Sequence, residues 1–321
     1  MTLREALTRA TRQLDASPGL CADAARDAAL LLRHALGISH AAQLADPNRA
    51  LTPAQQAAYD ALIQRRRASE PIQYITGEQE FYGLALGVTP AVLIPRPETE
   101  QLVEAVLAEF ATHPADFGCP LAETVCPPIE SVCPPAAQRR DLLLSSSLRQ
   151  PLRILDVGTG SGAIAIALAH HLPHASVTAV DLSSAALEVA ASNAARHALT
   201  DRIRFIQSDL LAALSPDEPP FDLIVSNPPY VPTGDRAGLH PQVRDHEPAS
   251  ALFAGPDGLD IYRRLIPQAR AALRPDGLLA LEIGHNQREA IASLLSGWNQ
   301  LRFLDDLQQI PRVAIARKPQ A

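Results

Sequence analysis

The sequence predicts an α/β protein: a doubly wound, mainly parallel sheet preceded by a small all-helical N-terminal domain. From Leu152 onward, short apolar runs of strand length alternate with helical patterns, whereas residues 1–70 show helical periodicity only. Glycine-rich and proline-rich turns follow several of the apolar runs, at the strand ends where such a sheet keeps its ligands. The 321 residues suffice for two domains, and 47% hydrophobic with 20% charged residues is ordinary globular composition.

In the helical domain, residues 1–70, Leu3, Leu7 and Ala10 recur at helical spacing, as do Ala24, Ala28, Leu31, Leu32 and Ala35. Gly37 is a C-cap signal, and Thr52-Pro53 opens another helix at N-cap and N1. Arg65-Arg66-Arg67 reads as a solvated helix end, where positive charge complements the dipole; contact with an acidic partner is the competing reading. Residues 71–95 form a β-hairpin linker, because Gly77, Gly83 and Gly87 punctuate short apolar and aromatic runs. The domain 96–321 begins with RPETEQLVEAVLAEF, a helix with acidic residues in its first turn.

A Pro/Cys-rich insertion interrupts that domain at about 111–150. CPLAETV, CPPIESV and CPPAAQR are three tandem seven-residue units. Zinc sites want cysteines two to four residues apart, so this spacing predicts an exposed linker and no metal. Beyond it, RILDVG, SVTAVD, IRFIQSD, FDLIVSN and GLLALEIG read as strands, with GAIAIALAHHL, SAALEVAASNAARHA and LDIYRRLIPQARAAL as helices between them and QREAIASLLSGW after the fifth. RFLDDLQQIPRVAIARK adds an antiparallel hairpin, which brings the sheet to seven strands.

The net charge of −7 argues against general attraction to a nucleic-acid backbone, and no run is long enough to span a membrane. Glu5, Asp15 and the lack of an apolar stretch argue against a targeting leader. Four cysteines without a paired framework fit a reducing compartment, so the expected location is cytoplasmic.

After the first strand of the sheet come Asp156, Val157, Gly158, Thr159, Gly160, Ser161 and Gly162, opening straight into a helix. Glycines there let the backbone turn tightly and a ligand approach closely. The second strand ends on Asp181, suited to ribose hydroxyls, and the third is followed by Asp209 and Leu210, where Asp209 could accept from an adenine amino group. Three successive strand ends thus supply a nucleoside pocket. A dinucleotide would want G-x-G-x-x-G; the spacing here is G-x-G-x-G behind the acid Asp156, which suits a cofactor with a cationic amino-acid group, such as S-adenosylmethionine (SAM).

The fourth strand ends in Asn227-Pro228-Pro229-Tyr230, facing the same mouth. The Asn227 side-chain oxygen and the Pro228 carbonyl form a pair of acceptors for the hydrogens of a planar NH2 group, and Tyr230 offers a flat face for stacking. The target is therefore an amino nitrogen conjugated to a carbonyl or an aromatic ring. Acceptors on its hydrogens favour the pyramidal transition state of methyl transfer over the flat ground state. A rigid strand-end turn with no chemistry is the plain alternative.

Asp156–Gly162, Asp181 and Asn227–Tyr230 together resemble a class I SAM-dependent amino-methyltransferase. PIQYITG, EFYG, VLIPRPETE, HEPASALFAGPDGLDIYRRL and LEIGHNQ resemble, more narrowly, the HemK-type glutamine N5-methyltransferases of peptide chain release factors. The resemblance implies SAM contacts at Asp156–Gly160, Asp181, Leu210 and Asn227. It implies that Asn227–Tyr230 clasp the glutamine of the release factor's Gly-Gly-Gln loop, while the helical domain holds the release factor's body. An aromatic residue is usual in the family where this chain has Leu210. A nucleic-acid amino-methyltransferase acting on adenine N6, cytosine N4 or guanine N2 is the enzyme alternative; it would bring a basic groove or a reading domain, and neither is evident. A non-enzymatic SAM-binding module is the other, against which the intact Asn-Pro-Pro-Tyr speaks. His170, His171 and His174 read as a helix end. Arg96 and Glu98 could line the pocket rim or only start a helix, while His246-Glu247 in the long loop 231–255, a plausible lid, and Glu282 ending the fifth strand carry no assigned role.

Overall fold

A computed structural model describes residues 1–17, 23–112 and 152–320. The Cys-Pro repeats lie outside the described residues. The N-terminal region consists of α1 (Leu3–Asp15), α2 (Ala24–Leu36), α3 (His40–Ala45) and α4 (Pro53–Arg67). Capping boxes start α1 (Thr2 with Glu5) and α4 (Thr52 with Gln55), satisfying N–H groups that the helices themselves leave unpaired. Leu3, Ala6, Ala10 and Leu14 of α1 meet Leu31 and Leu32 of α2 and Tyr59 and Ile63 of α4 in one core. The Tyr59 hydroxyl donates to the Ala28 carbonyl at 2.9 Å, pairing the single polar atom of a fully buried ring. The arginine run differs from the solvated end expected of it. Arg66 is only 4% exposed, because α2 lies across α4 and brings Asp27 to within 2.8 Å of its Nε.

A short helix, α5 (Ile72–Thr76), leads into the antiparallel hairpin of β1 (Glu78–Phe81) and β2 (Leu84–Gly87). Asn193 binds this hairpin to the rest of the fold. Its Oδ1 accepts from the Gly87 N–H at 2.7 Å, and its Nδ2 donates to the carbonyls of Gly87 and Ser161, each at 2.9 Å.

The main sheet has seven strands: β3 (Leu152–Val157), β4 (Ala175–Asp181), β5 (Ile203–Gln207), β6 (Phe221–Ser226), β7 (Leu273–Glu282), β8 (Asn299–Asp305) and β9 (Pro311–Arg317), in the order β5-β4-β3-β6-β7-β9-β8. Neighbours run parallel except β9, which is antiparallel to both β7 and β8. The C-terminal hairpin therefore inserts its second strand into the sheet and leaves its first as the edge. Alternate strand residues face opposite layers, as a period of two requires. Ile154, Val177 and Leu223 pack with α6 (Pro97–Thr112), α7 (Ala163–His171) and the Ala194 end of α8 (Ser184–Arg196). Loop 231–255, which contains α9 (Pro241–His246), precedes the other layer: α10 (Asp260–Ala272) and α11 (Arg288–Leu294) cover Leu155, Val180 and Ile224. Strand order reverses between β3 and β6, so the ends of β3 to β6 open on one crevice. Among the described residues, no helix is long and apolar enough to cross a membrane.

Candidate active site

A cavity occupies that crevice. Its wall includes Val157, Gly158, Thr159, Gly160, Asp181, Asp209, Leu210, Asn227, Pro228 and Pro229, so ten of the residues marked by sequence meet in one place. At Gly158 (φ 74°) and Gly160 (φ 56°) an added Cβ would project into open space, so the two glycines leave room beside a loop whose left-handed backbone favours glycine. The loop is pinned from both sides: Gly158 and Thr159 donate their N–H groups to the Val180 carbonyl at 2.9 and 3.0 Å. Asp181 Oδ2 accepts from the Gly160 N–H at 2.8 Å, and Oδ1 from the Ser183 N–H at 2.9 Å. Each oxygen keeps a further lone pair for a ligand hydroxyl.

Asp156, Gly162 and Tyr230 do not form part of that wall. Asp156 lies fully buried beneath the loop, where Thr159 Oγ1 donates to its Oδ2 at 2.7 Å; burial pushes its carboxyl up to about 7. Its other oxygen, Oδ1, has no hydrogen-bond partner among the described residues. Gly162, with φ 82°, is the N-cap of α7, and a Cβ there would meet Ala190 of α8 at 3.2 Å. Close helix packing thus explains that glycine. Tyr230 turns its ring toward the layer of α10 and α11. Asp209 reaches the cavity, but its Oδ2 pairs with Arg264 at 2.6 Å.

Asn227 Nδ2 donates to Thr99 Oγ1 at 3.0 Å. The amide is thereby oriented, and its Oδ1 is left as the acceptor of a side chain that lines the cavity. Thr99, 4% exposed in the first turn of α6, also lines the cavity and faces the Glu282 carboxylate, whose charge it helps to stabilise. The Tyr230 hydroxyl donates to Glu282 Oε1 at 3.3 Å. Glu282 is 2% exposed, and burial pushes its carboxyl up to about 7 against these hydroxyls and Arg312. Ser226 Oγ donates to the Val157 carbonyl at 2.6 Å, joining this corner to the glycine loop.

The segments beyond the sheet secure the same corner. Gln287 Nε2 donates to the carbonyls of Tyr230 (3.0 Å) and Gly258 (3.3 Å), while its Oε1 accepts from the Gly284 N–H at 2.9 Å. At Gly258 (φ 75°) a Cβ would come within 2.2 Å of the Tyr230 carbonyl oxygen. Arg96 lines the cavity and its Nη2 donates to the buried Glu247 at 2.6 Å, drawing loop 231–255 over the mouth; Pro248, Ser250 and Ala251 complete the wall there. Glu98 is exposed on the first turn of α6 and does not reach the cavity. His246 Nε2 lies 3.2 Å from the Ala68 carbonyl, linking the loop to the end of α4. Sequence reasoning missed Thr99, Leu182 and Gln287. Leu182, 64% exposed at the cavity beside Asp181, carried a signal: a large apolar residue left in water at a strand end. Among the described residues, no cluster of three or more histidine, cysteine or acidic side chains could hold a metal ion.

Comparison with known proteins meets this geometry from the other side. Residues 5–77 match the PrmC N-terminal domain, and residues 140–239 match the methyltransferase small domain. The release factor glutamine methyltransferase of Koribacter versatilis is 41% identical over 99% of both chains. That of Moorella thermoacetica is 43% identical, covering 92% of this chain and 89% of its own, and that of Deinococcus radiodurans is 40% identical over 99% of each. The likeness runs through both the helical region and the sheet that carries the cavity. The chain belongs to the family of release factor glutamine methyltransferases.

Proposed function

We propose that this chain transfers the methyl group of SAM to the side-chain amide N5 of the glutamine in the Gly-Gly-Gln loop of a peptide chain release factor, in the cytoplasm. The observation that carries this reading is the orientation of Asn227. With Nδ2 engaged by Thr99, its free Oδ1 suits the hydrogens of a planar carboxamide. The cavity fits SAM: Gly158 and Gly160 leave the space that side chains would fill, Asp181 has lone pairs for the ribose hydroxyls, and Leu182 offers apolar cover to the adenine. When bound, SAM supplies an electrophilic methyl group on a sulfonium.

The protein's part is to make a reluctant nitrogen nucleophilic. The lone pair of a carboxamide nitrogen is delocalised into its carbonyl. Asn227 Oδ1 and the Pro228 carbonyl accept its two hydrogens, an interaction that strengthens as positive charge develops on nitrogen. Pro229 and the anchoring of Tyr230 hold these acceptors in place, so little reorganisation is needed during the reaction. Tyr230 does not line the cavity; its hydroxyl, donated to Glu282, anchors the turn that carries the two acceptors.

Mass spectrometry of a purified release factor before and after incubation with SAM and this protein tests the reading. The expected result is one added methyl on the glutamine of Gly-Gly-Gln. Label from SAM on RNA or DNA with none on the release factor overturns it in favour of the nucleic-acid alternative.

A further inference from the structure

Asn227 can serve as acceptor only in one of its two amide orientations. Flipped, it would point two N–H donors at the donors of the substrate amide, and the clasp would become repulsive. The orientation is decided by Thr99, which accepts from Nδ2 at 3.0 Å. A hydroxyl that accepts on one side still has its own hydrogen to place, and that hydrogen needs an acceptor elsewhere. The Glu282 carboxylate, 2% exposed, is close enough to Thr99 for the Thr99 hydroxyl to stabilise its charge, and ionised it can only accept. Its Oε1 takes the Tyr230 hydroxyl, and its Oε2 has no hydrogen-bond partner among the described residues. A buried orphan oxygen is costly, and the Thr99 hydroxyl is a neighbouring donor that stabilises this carboxylate.

We propose that Glu282 and Thr99 are positioning residues that set the polarity of a hydrogen-bond chain, carboxylate to hydroxyl to amide, and so hold Asn227 with its oxygen toward the substrate. The inference rests on the function proposed above only in naming that substrate. With a proton on Glu282 the chain can run backwards: the carboxyl donates to Thr99, Thr99 donates to Asn227 Oδ1, and the amide turns its NH2 into the cavity. One proton on a group that does not line the cavity thereby switches the clasp from acceptor to donor. The charged and titratable groups around Glu282 are Arg312 of β9, which favours the carboxylate, Glu98 of α6, which opposes it, and the Tyr230 hydroxyl. Tyr262 of α10 donates to the Glu282 backbone carbonyl at 2.7 Å and leaves the carboxylate to the others. Burial outweighs Arg312, which places the switch at about pH 7.

Two measurements on the full chain test this. The first reads the side-chain amide of Asn227 directly: with 15N labelling, its NH2 cross-peaks are expected to shift with a midpoint at about pH 7 in the wild type and to stand still in Glu282→Gln. The second follows methylation of a release factor by kcat and KM across pH. The wild type is expected to lose kcat on the acid side, with KM for the release factor and SAM affinity unchanged. Glu282→Gln is expected to lose that pH dependence. Thr99→Val should cost at least about tenfold in kcat, while Thr99→Ser, which keeps the hydroxyl, stays within about threefold of wild type. Cross-peaks in Glu282→Gln that titrate as in the wild type, or a Thr99→Val enzyme within about twofold of wild-type kcat, would overturn the proposal. The cross-peak test needs no turnover, so a wild type that leaves the release factor unlabelled fails the proposed function alone. If either variant does not fold, the Thr99→Ser enzyme still decides: a loss of about tenfold with the hydroxyl present contradicts the chain.

Discussion

The two corners of the cavity are held by different means. On the glycine-loop side the contacts are local: Thr159 reaches Asp156 three residues back, and Gly160 reaches Asp181 across 21 residues, from one strand end to the next. On the Asn-Pro-Pro-Tyr side the partners are distant. Asn227 is held by Thr99 across 128 residues, Tyr230 by Glu282 across 52 and by Gln287 across 57. The first corner is mostly backbone and takes its shape from glycines. The second takes its shape from side chains on a helix start, a strand end and the turn after it. The difference implies that ligand binding and turnover can be lost separately.

The largest expected effect lies at the second corner. Asn227→Ala should keep most SAM affinity while kcat falls about a hundredfold or more, as when one preorganised contact to developing charge is removed. Calorimetry with SAM beside single-turnover methylation separates the two, and unchanged turnover rejects the role given to Asn227. Next is Gln287→Met, which leaves the Gly284 N–H and the Tyr230 carbonyl without their partner. A loss of about 3 kcal/mol in urea unfolding is expected, at roughly 1–3 kcal/mol for each buried group left unpaired. A loss below about 1 kcal/mol would show that the distant contacts do not hold that corner as described.

Gly160→Ala probes the first corner. Its φ of 56° is left-handed, so the change should cost about 1 kcal/mol of stability, and the new Cβ should weaken SAM binding more than it lowers the kcat of saturated enzyme. If kcat falls while affinity holds, the division of labour between the corners is wrong. The smallest effect is a slope. The Asp156 carboxyl is raised by burial from 3.8 to about 7, so between those values the folded protein holds a proton that the unfolded chain has released. Stability from this group is complete below about pH 4 and is lost as pH rises through about 7. Glu282, raised in the same direction, adds to the slope. Asp156→Asn should therefore flatten part of the decline in melting temperature between pH 5 and pH 8, and an unchanged slope would deny that Asp156 is buried with this cost.

The same division decides what was legible in the sequence. The strand and helix alternation, the glycine loop, Asp181 and the Asn-Pro-Pro-Tyr turn are short-range patterns, and the structure brings them to one cavity. Asp156 and Gly162 belong to the loop the spacing predicts, but which face of it they occupy depends on Thr159 and on the packing of α7 against α8. Thr99 looked like part of a helix start, and Glu282 like the end of a strand. Their meeting depends on how α6 crosses the sheet, which no local spacing encodes. Gly258 and Gln287 lie in segments that stood out only by resemblance; their reason is the carbonyl of Tyr230, which one approaches and the other binds. Arg66 hides for a similar reason, since only the crossing of α2 and α4 shows that Asp27 waits beneath it.

The loop over the cavity mouth makes two grips at neighbouring positions: His246 on the carbonyl that ends α4, and Glu247 on the guanidinium at the rim. A single peptide unit separates the two, too short a span to absorb strain. The helical bundle and the mouth are therefore geared together. Any tilt of the bundle against the sheet would strain the His246 contact with Ala68 and, one residue on, the Glu247 ion pair with Arg96 at the rim.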